Sequence, residues 1–350
     1  MFFRVLVYNN NMLQIGLSCC KEKKLYNQGL GRCKSIYIIQ KSVSSLSHKL
    51  LNLPKFQNNR CELSYRSINS FEPSSRADND SQNKLRESII DAIVNNCIPE
   101  TYYKYSRRWK TLYYSVQDYI QILNPHPIHS ISCILKAGRK NHYDFDMIVN
   151  NIHSYQVEFK FNAETIGDTP QFASIMNPDR FLSDSFTEFF YHNHFVPIIA
   201  KSQNFSIPDK NTYMKEINSN DPECMKPYKR LYKLSPDFNK LCKRESKKSI
   251  EMFLSKVELN TQLLSTYLLE TQKNKHYMMY SKKRFHYQKP NLDDYSIQSY
   301  IVDPKYKNRF ICQTKSGKKM YVLLRWKNGN GVAFPAFQIS SQRRKQISTD

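Results

Sequence analysis

Tyr143-Asp144-Phe145-Asp146-Met147-Ile148-Val149 is followed, after Asn150-Asn151-Ile152-His153-Ser154, by Tyr155-Gln156-Val157-Glu158-Phe159-Lys160-Phe161. Both heptads alternate with period two, which predicts two β-strands, each with one apolar and one mixed face. The short, Asn-rich connection predicts an antiparallel hairpin. On the second strand Val157, Phe159 and Phe161 point one way, and Glu158 and Lys160 the other. In that pairing Asp146, or Asp144 on the same face two residues earlier, lies beside Glu158 and Lys160. Two carboxylates and an ammonium on one strand face make a candidate Mg²⁺ site, with Mn²⁺ as a substitute, and a charged helper.

Working outward, Leu85, Ile89, Ile90, Ile93, Val94 and Cys97 fall at helical spacing and predict an amphipathic helix that ends before Pro99. Glu87 and Asp91 ride on it. Residues 100–123 interleave Tyr102, Tyr103 and Tyr105 with Arg107, Arg108 and Lys110, and residues 136–140 form a basic turn that includes Arg139 and Lys140. Cations meet phosphates and aromatic faces stack on bases, so these five basic residues are the candidate nucleic-acid contacts. A helix with Trp109, Leu112 and Tyr113 turned inward accounts for part of the same pattern.

Downstream, Thr169-Pro170 reads as the start of a helix, with Thr169 as N-cap and Pro170 at its first position. Phe181 to Phe190 reads as core. His192 and His194, two apart, would share a face on a strand, and a structural role is the expectation for them and for His126 and His129. Residues 201–245 read as loops or short helices, followed by one long helix with apolar positions from Leu241 to Leu268. From Lys275 the pattern turns to β. His276–Tyr280 and Arg284–Tyr287 flank one turn, Phe310–Cys312 and Met320–Leu324 flank another, and Asn328-Gly329-Asn330-Gly331 signals a hairpin. A small antiparallel sheet studded with Lys and Arg is expected there, ending in Arg343-Arg344-Lys345.

The 350 residues carry 53 Lys+Arg against 30 Asp+Glu, a formal charge of +23. Such a balance favours a polyanionic partner, either nucleic acid or an anionic membrane surface, with nucleic acid as the expectation. No apolar run reaches the roughly 18 residues of a membrane span. The nine cysteines are scattered, without a CxxC pair, which fits free thiols in a reducing compartment. Residues 1–60 hold ten Lys/Arg and one acid, Glu22, so they resemble an organellar transit segment or a basic, weakly ordered arm. An intracellular location, mitochondrial or nuclear, is the expectation. Asn69 to Asn83 reads as a linker. Phosphate-loop, dinucleotide, nucleophile-elbow and HExxH motifs are all absent from the sequence.

An acid on one strand followed by acid-x-Lys on the next resembles the PD-(D/E)XK nuclease superfamily. The matching positions are Asp146 (or Asp144) and Glu158-Phe159-Lys160, within a region of resemblance covering residues 84–200. The resemblance implies a restriction-endonuclease-like α/β (α+β) fold, a central mixed sheet flanked by helices, here with a C-terminal antiparallel β region. It also implies a helix acid, for which Glu87 is placed, and a Gln after the Lys, for which Gln171 is placed. The function implied is Mg²⁺-dependent hydrolysis of DNA phosphodiesters, with Asp146, Glu158 and Glu87 as metal ligands and Lys160 assisting. Acid-x-Lys recurs at Glu22/Lys24, Glu245/Lys247 and Asp303/Lys305, and only Glu158/Lys160 sits in an apolar alternating strand beside another acid-bearing strand. Tyr143 or Phe145, not Pro, precedes the Asp, which leaves the choice of Asp open. The domains expected are an arm and linker (1–83), the nuclease-like core (84–200), a helical region (201–274) and a basic β region (275–350). A nucleic-acid-binding protein without chemistry, organellar or ribosome-associated, is the competing reading.

Overall fold

The computed structural model describes residues 53–57, 61–73, 75, 78–136, 141–168, 171–173, 177–219, 223–327 and 329–341. The transit-like segment up to residue 52, Arg139, Lys140, Thr169, Pro170 and the basic tail from 342 lie outside them.

In chain order, a two-residue pair of strands, β1 (Phe56–Gln57) and β2 (Glu62–Leu63), precedes a 3₁₀ turn over Tyr65–Phe71. Helices α1 (Asn79–Val94), α2 (Glu100–Tyr105) and α3 (Arg107–Leu123) follow. Next come β3 (Ile131–Leu135), β4 (Phe145–Val149), β5 (His153–Phe161) and β6 (Gln171–Ala173). The short α4 (Phe186–Phe190) runs into a π-helix over Tyr191–Ala200. Helices α5 (Lys210–Glu216), α6 (Lys226–Leu234), α7 (Pro236–Leu254) and α8 (Thr261–Gln272) lead to β7 (Lys275–Ser281) and β8 (Arg284–Gln288). The chain closes with β9 (Ile297–Val302), β10 (Arg309–Thr314), β11 (Lys319–Trp326) and β12 (Pro335–Ser341).

Two five-stranded sheets organise this mixed α/β chain, in the orders β3-β4-β5-β7-β8 and β6-β12-β11-β10-β9. The first is mixed, because β7 runs parallel to β5 while the other neighbours are antiparallel. A parallel neighbour needs a long crossover, and residues 162–274 supply it. The chain therefore interleaves: β6 leaves for the second sheet, and β7 and β8 return to the first. The strands expected to form one antiparallel sheet after residue 275 are shared between two.

One face of the first sheet is apolar. Phe145, Met147, Val157, Phe159 and Met278 meet Ile89, Ile93, Trp109, Leu112 and Val116 in one buried cluster. Helix α3 forms because Ser106 Oγ caps it by accepting from Trp109 N, and because Trp109, Leu112, Val116, Ile120 and Leu123 recur on one face. The β4–β5 connection turns through Asn150 and Asn151, both at positive φ (55° and 56°), a region Asn tolerates. The stretch read as a linker is partly packed. Phe71 is buried with its ring 4.9 Å from that of Tyr280, and Arg86, wholly buried, donates to Ser70 O and Glu72 O while its guanidinium lies 3.5 Å from the Phe161 ring centroid.

The second cluster lies between the second sheet and helices α4, α7 and α8, with Phe181, Phe186, Phe190, Phe253, Leu264, Phe310, Val322, Trp326 and Phe337 at its centre. The single long helix expected over 241–268 is two helices. Val257 and Leu259 are buried in the break, and Asn260 caps α8 by accepting from Leu263 N at 2.9 Å. The pair His192 and His194 sits on the π-helix rather than a strand, so their side chains diverge. His192 is exposed, and His194 is buried with Nδ1 3.1 Å from Glu245 Oε2. Among the described residues Cys61, Cys97, Cys133, Cys224, Cys242 and Cys312 are free thiols, and no helix is long and apolar enough to cross a membrane.

Candidate active site

The polar face of the first sheet is built by register. Phe145 pairs with Val157 and Asp146 with Gln156, which sets Asp144 across from Glu158. The β4 ladder ends at this point. Asp144 N still donates to Val157 O at 2.9 Å, but Phe159 N turns to the side chain, donating to Asp144 Oδ2 at 2.8 Å. From the other neighbour, β7, the parallel register places Tyr277 beside Glu158 and Met279 beside Lys160. Lys275, two residues before Tyr277, shares that face.

The charges interlock. Glu158 is 8% exposed; one carboxylate oxygen takes the Lys160 ammonium and the other lies 3.3 Å from Lys275 Nζ. Burial pushes the Glu158 carboxyl up, but Lys160 and Lys275 outweigh it and hold it below the usual range. Burial lowers the Lys160 ammonium, while Glu158, Asp144 and Glu87 raise it beyond the ordinary lysine value. Lys275 is lowered, by burial first, with Glu158 opposing. Asp144 goes the other way, pushed up to about 8 by burial, then by Glu158 and Glu87, with Lys160 and the Phe159 N–H pulling back. Glu87, on α1, thus acts on both Asp144 and Lys160 through its charge.

Among the sequence candidates, the structure brings Asp144, Glu158 and Lys160 together, with Glu87 in electrostatic reach. Asp146 stands one residue pair along the same face, its Oδ2 2.7 Å from Lys136 Nζ. Gln171 opens β6 in the second sheet, opposite Ile339. Arg108 is occupied within the fold, 2.9 Å from Glu72 Oε1 and from Asn69 Oδ1, while Arg107 and Lys110 are exposed. All three begin α3, which packs on the face opposite the acids.

Two residues here were not legible in the sequence. Lys275 lies more than a hundred residues from Glu158, and only the parallel β5–β7 register makes them neighbours. His142 stands at the rim, its ring 5.7 Å from that of Tyr267 and its pKa lowered by burial and then by Lys275, with Glu158 opposing. No periodicity marks it, because it precedes the strand.

The donor set suits a hard divalent cation. Asp144 and Glu158 offer carboxylate oxygens from adjacent strands, and Mg²⁺ is commonly held by one or two carboxylates plus substrate phosphate and water. Among the described residues no group of three or more His, Cys, Asp or Glu side chains has ligand spacing, so the fit is to this sparse arrangement rather than to an all-protein cage.

A pH effect follows from Asp144. Its folded pKa of about 8 lies above the usual carboxyl value of 3.8, so its contribution to stability is full at low pH and is lost as pH rises through about 8. A cation at this site must expel the proton. Calorimetric titration of Mg²⁺ in buffers of different ionisation enthalpy is expected to show proton release near neutrality that vanishes in Asp144→Asn. Release that persists in the variant would move the proton to another group.

Compared with protein-family models, curated proteins and solved structures, the chain matches none of them.

Proposed function

We propose that this protein is a Mg²⁺-dependent nuclease of the PD-(D/E)XK kind that hydrolyses DNA phosphodiester bonds. The observation that carries the reading is geometric: the hairpin register sets Asp144 across from Glu158 on one face, with Phe159 N on Asp144 and the Lys160 ammonium on Glu158, and that crowding is what raises Asp144. Once the pH rises towards 8 the fold no longer gains from a half-buried carboxyl lifted to about 8, whereas a site that takes up a cation uses one. The mixed first sheet, covered by α1–α3 on one side, supports the same reading.

In it, Asp144 and Glu158 would hold the cation from adjacent strands. A bound Mg²⁺ would supply Lewis acidity to the phosphate and to the attacking water. Lys160 remains an ammonium and donates to the charge that develops on the phosphate. Lys275 grips the second oxygen of Glu158 and fixes the carboxylate plane. Glu87 keeps Lys160 protonated and raises the affinity for a cation through its charge. Arg107 and Lys110, exposed on the far side of the sheet, would contact nucleic acid only away from the cut.

The test is incubation of the purified protein with end-labelled DNA and RNA, with Mg²⁺, with Mn²⁺ and with EDTA. Cleavage of DNA only in the presence of a metal ion is expected. Failure to cut either nucleic acid under all three conditions, by protein that binds them, would sink the reading. That result would favour the second one, a nucleic-acid-binding protein without chemistry. The observation behind the second reading is that both oxygens of Glu158 are held by lysines, as in a purely structural ion cluster.

A further inference from the structure

The second sheet buries one face and leaves the other partly open, its residues half-buried along most of β10 and β11. Phe310, Cys312, Met320, Val322, Leu324 and Trp326 point into the core. The alternate residues of the same strands point outward, and Ile301 is 60% exposed at one edge. Strands β9 to β12 contain no Asp or Glu, while Arg309, Lys319 and Arg325 all stand on the outward face.

Arg309 is held in place there. Its Nε donates to Asp303 Oδ2 at 2.6 Å, and its guanidinium carbon lies 4.4 Å from the Tyr306 ring centroid and 4.3 Å from that of Tyr321. Asp303 is itself buried and anchored by the Lys305 and Tyr306 backbone N–H groups. The fork is therefore immobilised at one edge and against two rings, which leaves its terminal amino groups as a preorganised donor pair of the geometry that phosphate accepts. Arg325, on the neighbouring strand, is steadied by Gln338 Oε1 at 2.8 Å.

We propose that this open face binds a single-stranded segment of nucleic acid, with Arg309 seating a phosphate and Arg325 and Lys319 following the backbone. Charge complementarity selects the polyanion. The choice of single strand rests on Ile311, Tyr321 and Leu323, which lie between the cations, and on Ile301 beside them at the sheet edge. A duplex offers such a surface only phosphate and sugar, whereas an unpaired strand lays base faces on it. The inference rests on the nucleic-acid partner named above, not on cleavage.

The test is fluorescence anisotropy with a labelled oligothymidylate and with a duplex of equal length, in EDTA so that no chain is cut. The parent is expected to prefer the single strand. Arg309→Gln with Arg325→Gln is expected to weaken its binding about tenfold or more and to reduce the salt slope by about 0.7 for each phosphate that is no longer neutralised. Lys319→Gln with Arg325→Gln leaves Asp303 paired, and it should show the same direction of change should the Arg309 variant fail to fold. Unchanged affinity and slope in correctly folded variants overturns the proposal, as does equal binding of the duplex. Cleavage by a protein whose binding ignores these substitutions would overturn this inference alone. Binding that obeys them without any cleavage would overturn the nuclease reading alone.

Discussion

Asp144→Asn is expected to lower Mg²⁺-dependent cleavage by about a hundredfold or more while leaving the melting temperature unchanged or higher. The two directions are linked. Asp144 carries a carboxyl that burial, Glu158 and Glu87 push to about 8, so its charge is a burden on the fold and an asset only to a bound cation. An amide can still accept from Phe159 N but brings no charge. Glu158→Gln and Lys160→Met are expected to lose activity to a similar degree. Their stability should fall: Glu158→Gln takes the shared carboxylate from Lys160 and the buried Lys275, at a cost of about 3–5 kcal/mol, while Lys160→Met leaves Glu158 with Lys275 alone and should cost less. Asp146→Asn is the contrast: it gives up an ion pair with Lys136 and should cleave within a few-fold of the parent. Initial rates under saturating Mg²⁺, with thermal melts of the same samples, decide the matter. An inactive Asp146→Asn beside an active Asp144→Asn would move the site one residue pair towards Lys136. Parent-like cleavage by all four would remove the site from this hairpin.

Trp109→Ala is expected to destabilise the protein by about 3–5 kcal/mol, the usual cost of emptying a fully buried indole site. Trp109 is wholly buried, its Nε1 donates to Tyr65 O at 2.8 Å and its ring lies 5.3 Å from that of Tyr102. The substitution therefore opens a cavity against the first sheet and releases the Tyr65–Phe71 turn at the same time. Trp109→Phe keeps most of the ring and loses only the hydrogen bond and part of the packing, so its loss should be about half as large. Urea unfolding followed by circular dichroism gives both values. A loss below about 1 kcal/mol for the alanine variant would mean that residues 65–71 are loosely attached, as a linker would be.

The hairpin that supplies Asp144 and Glu158 was readable from the sequence because period two is a local property. Alternation over seven residues is enough to say which side chains share a face. The Asn150-Asn151 turn, the helix with Trp109 and Leu112 inward and the hairpins of the second sheet were local in the same sense, set by backbone preference and periodicity. The choice between Asp144 and Asp146 was not local. Both lie on one face, and only the pairing of Phe145 with Val157, together with Lys136 reaching Asp146 from the end of β3, separates them.

Lys275 belongs to the part that tertiary structure alone decided. It meets Glu158 because β7 lies parallel to β5, and a parallel pairing follows from how a long crossover packs rather than from any pattern in either strand. The sharing of the later strands between two sheets has the same origin. Strands β7 to β12 alternate alike, so periodicity marks them as strands without saying which edge each one joins. Composition announced a basic protein suited to a polyanion. Where the cations are free and where they are spent, as Arg108 is on Glu72 and Lys136 on Asp146, depended on which carboxylates the fold brought within reach. Ion pairing acts over a few ångströms of space and has no fixed separation along the chain, so no reading of the chain in order could have assigned it.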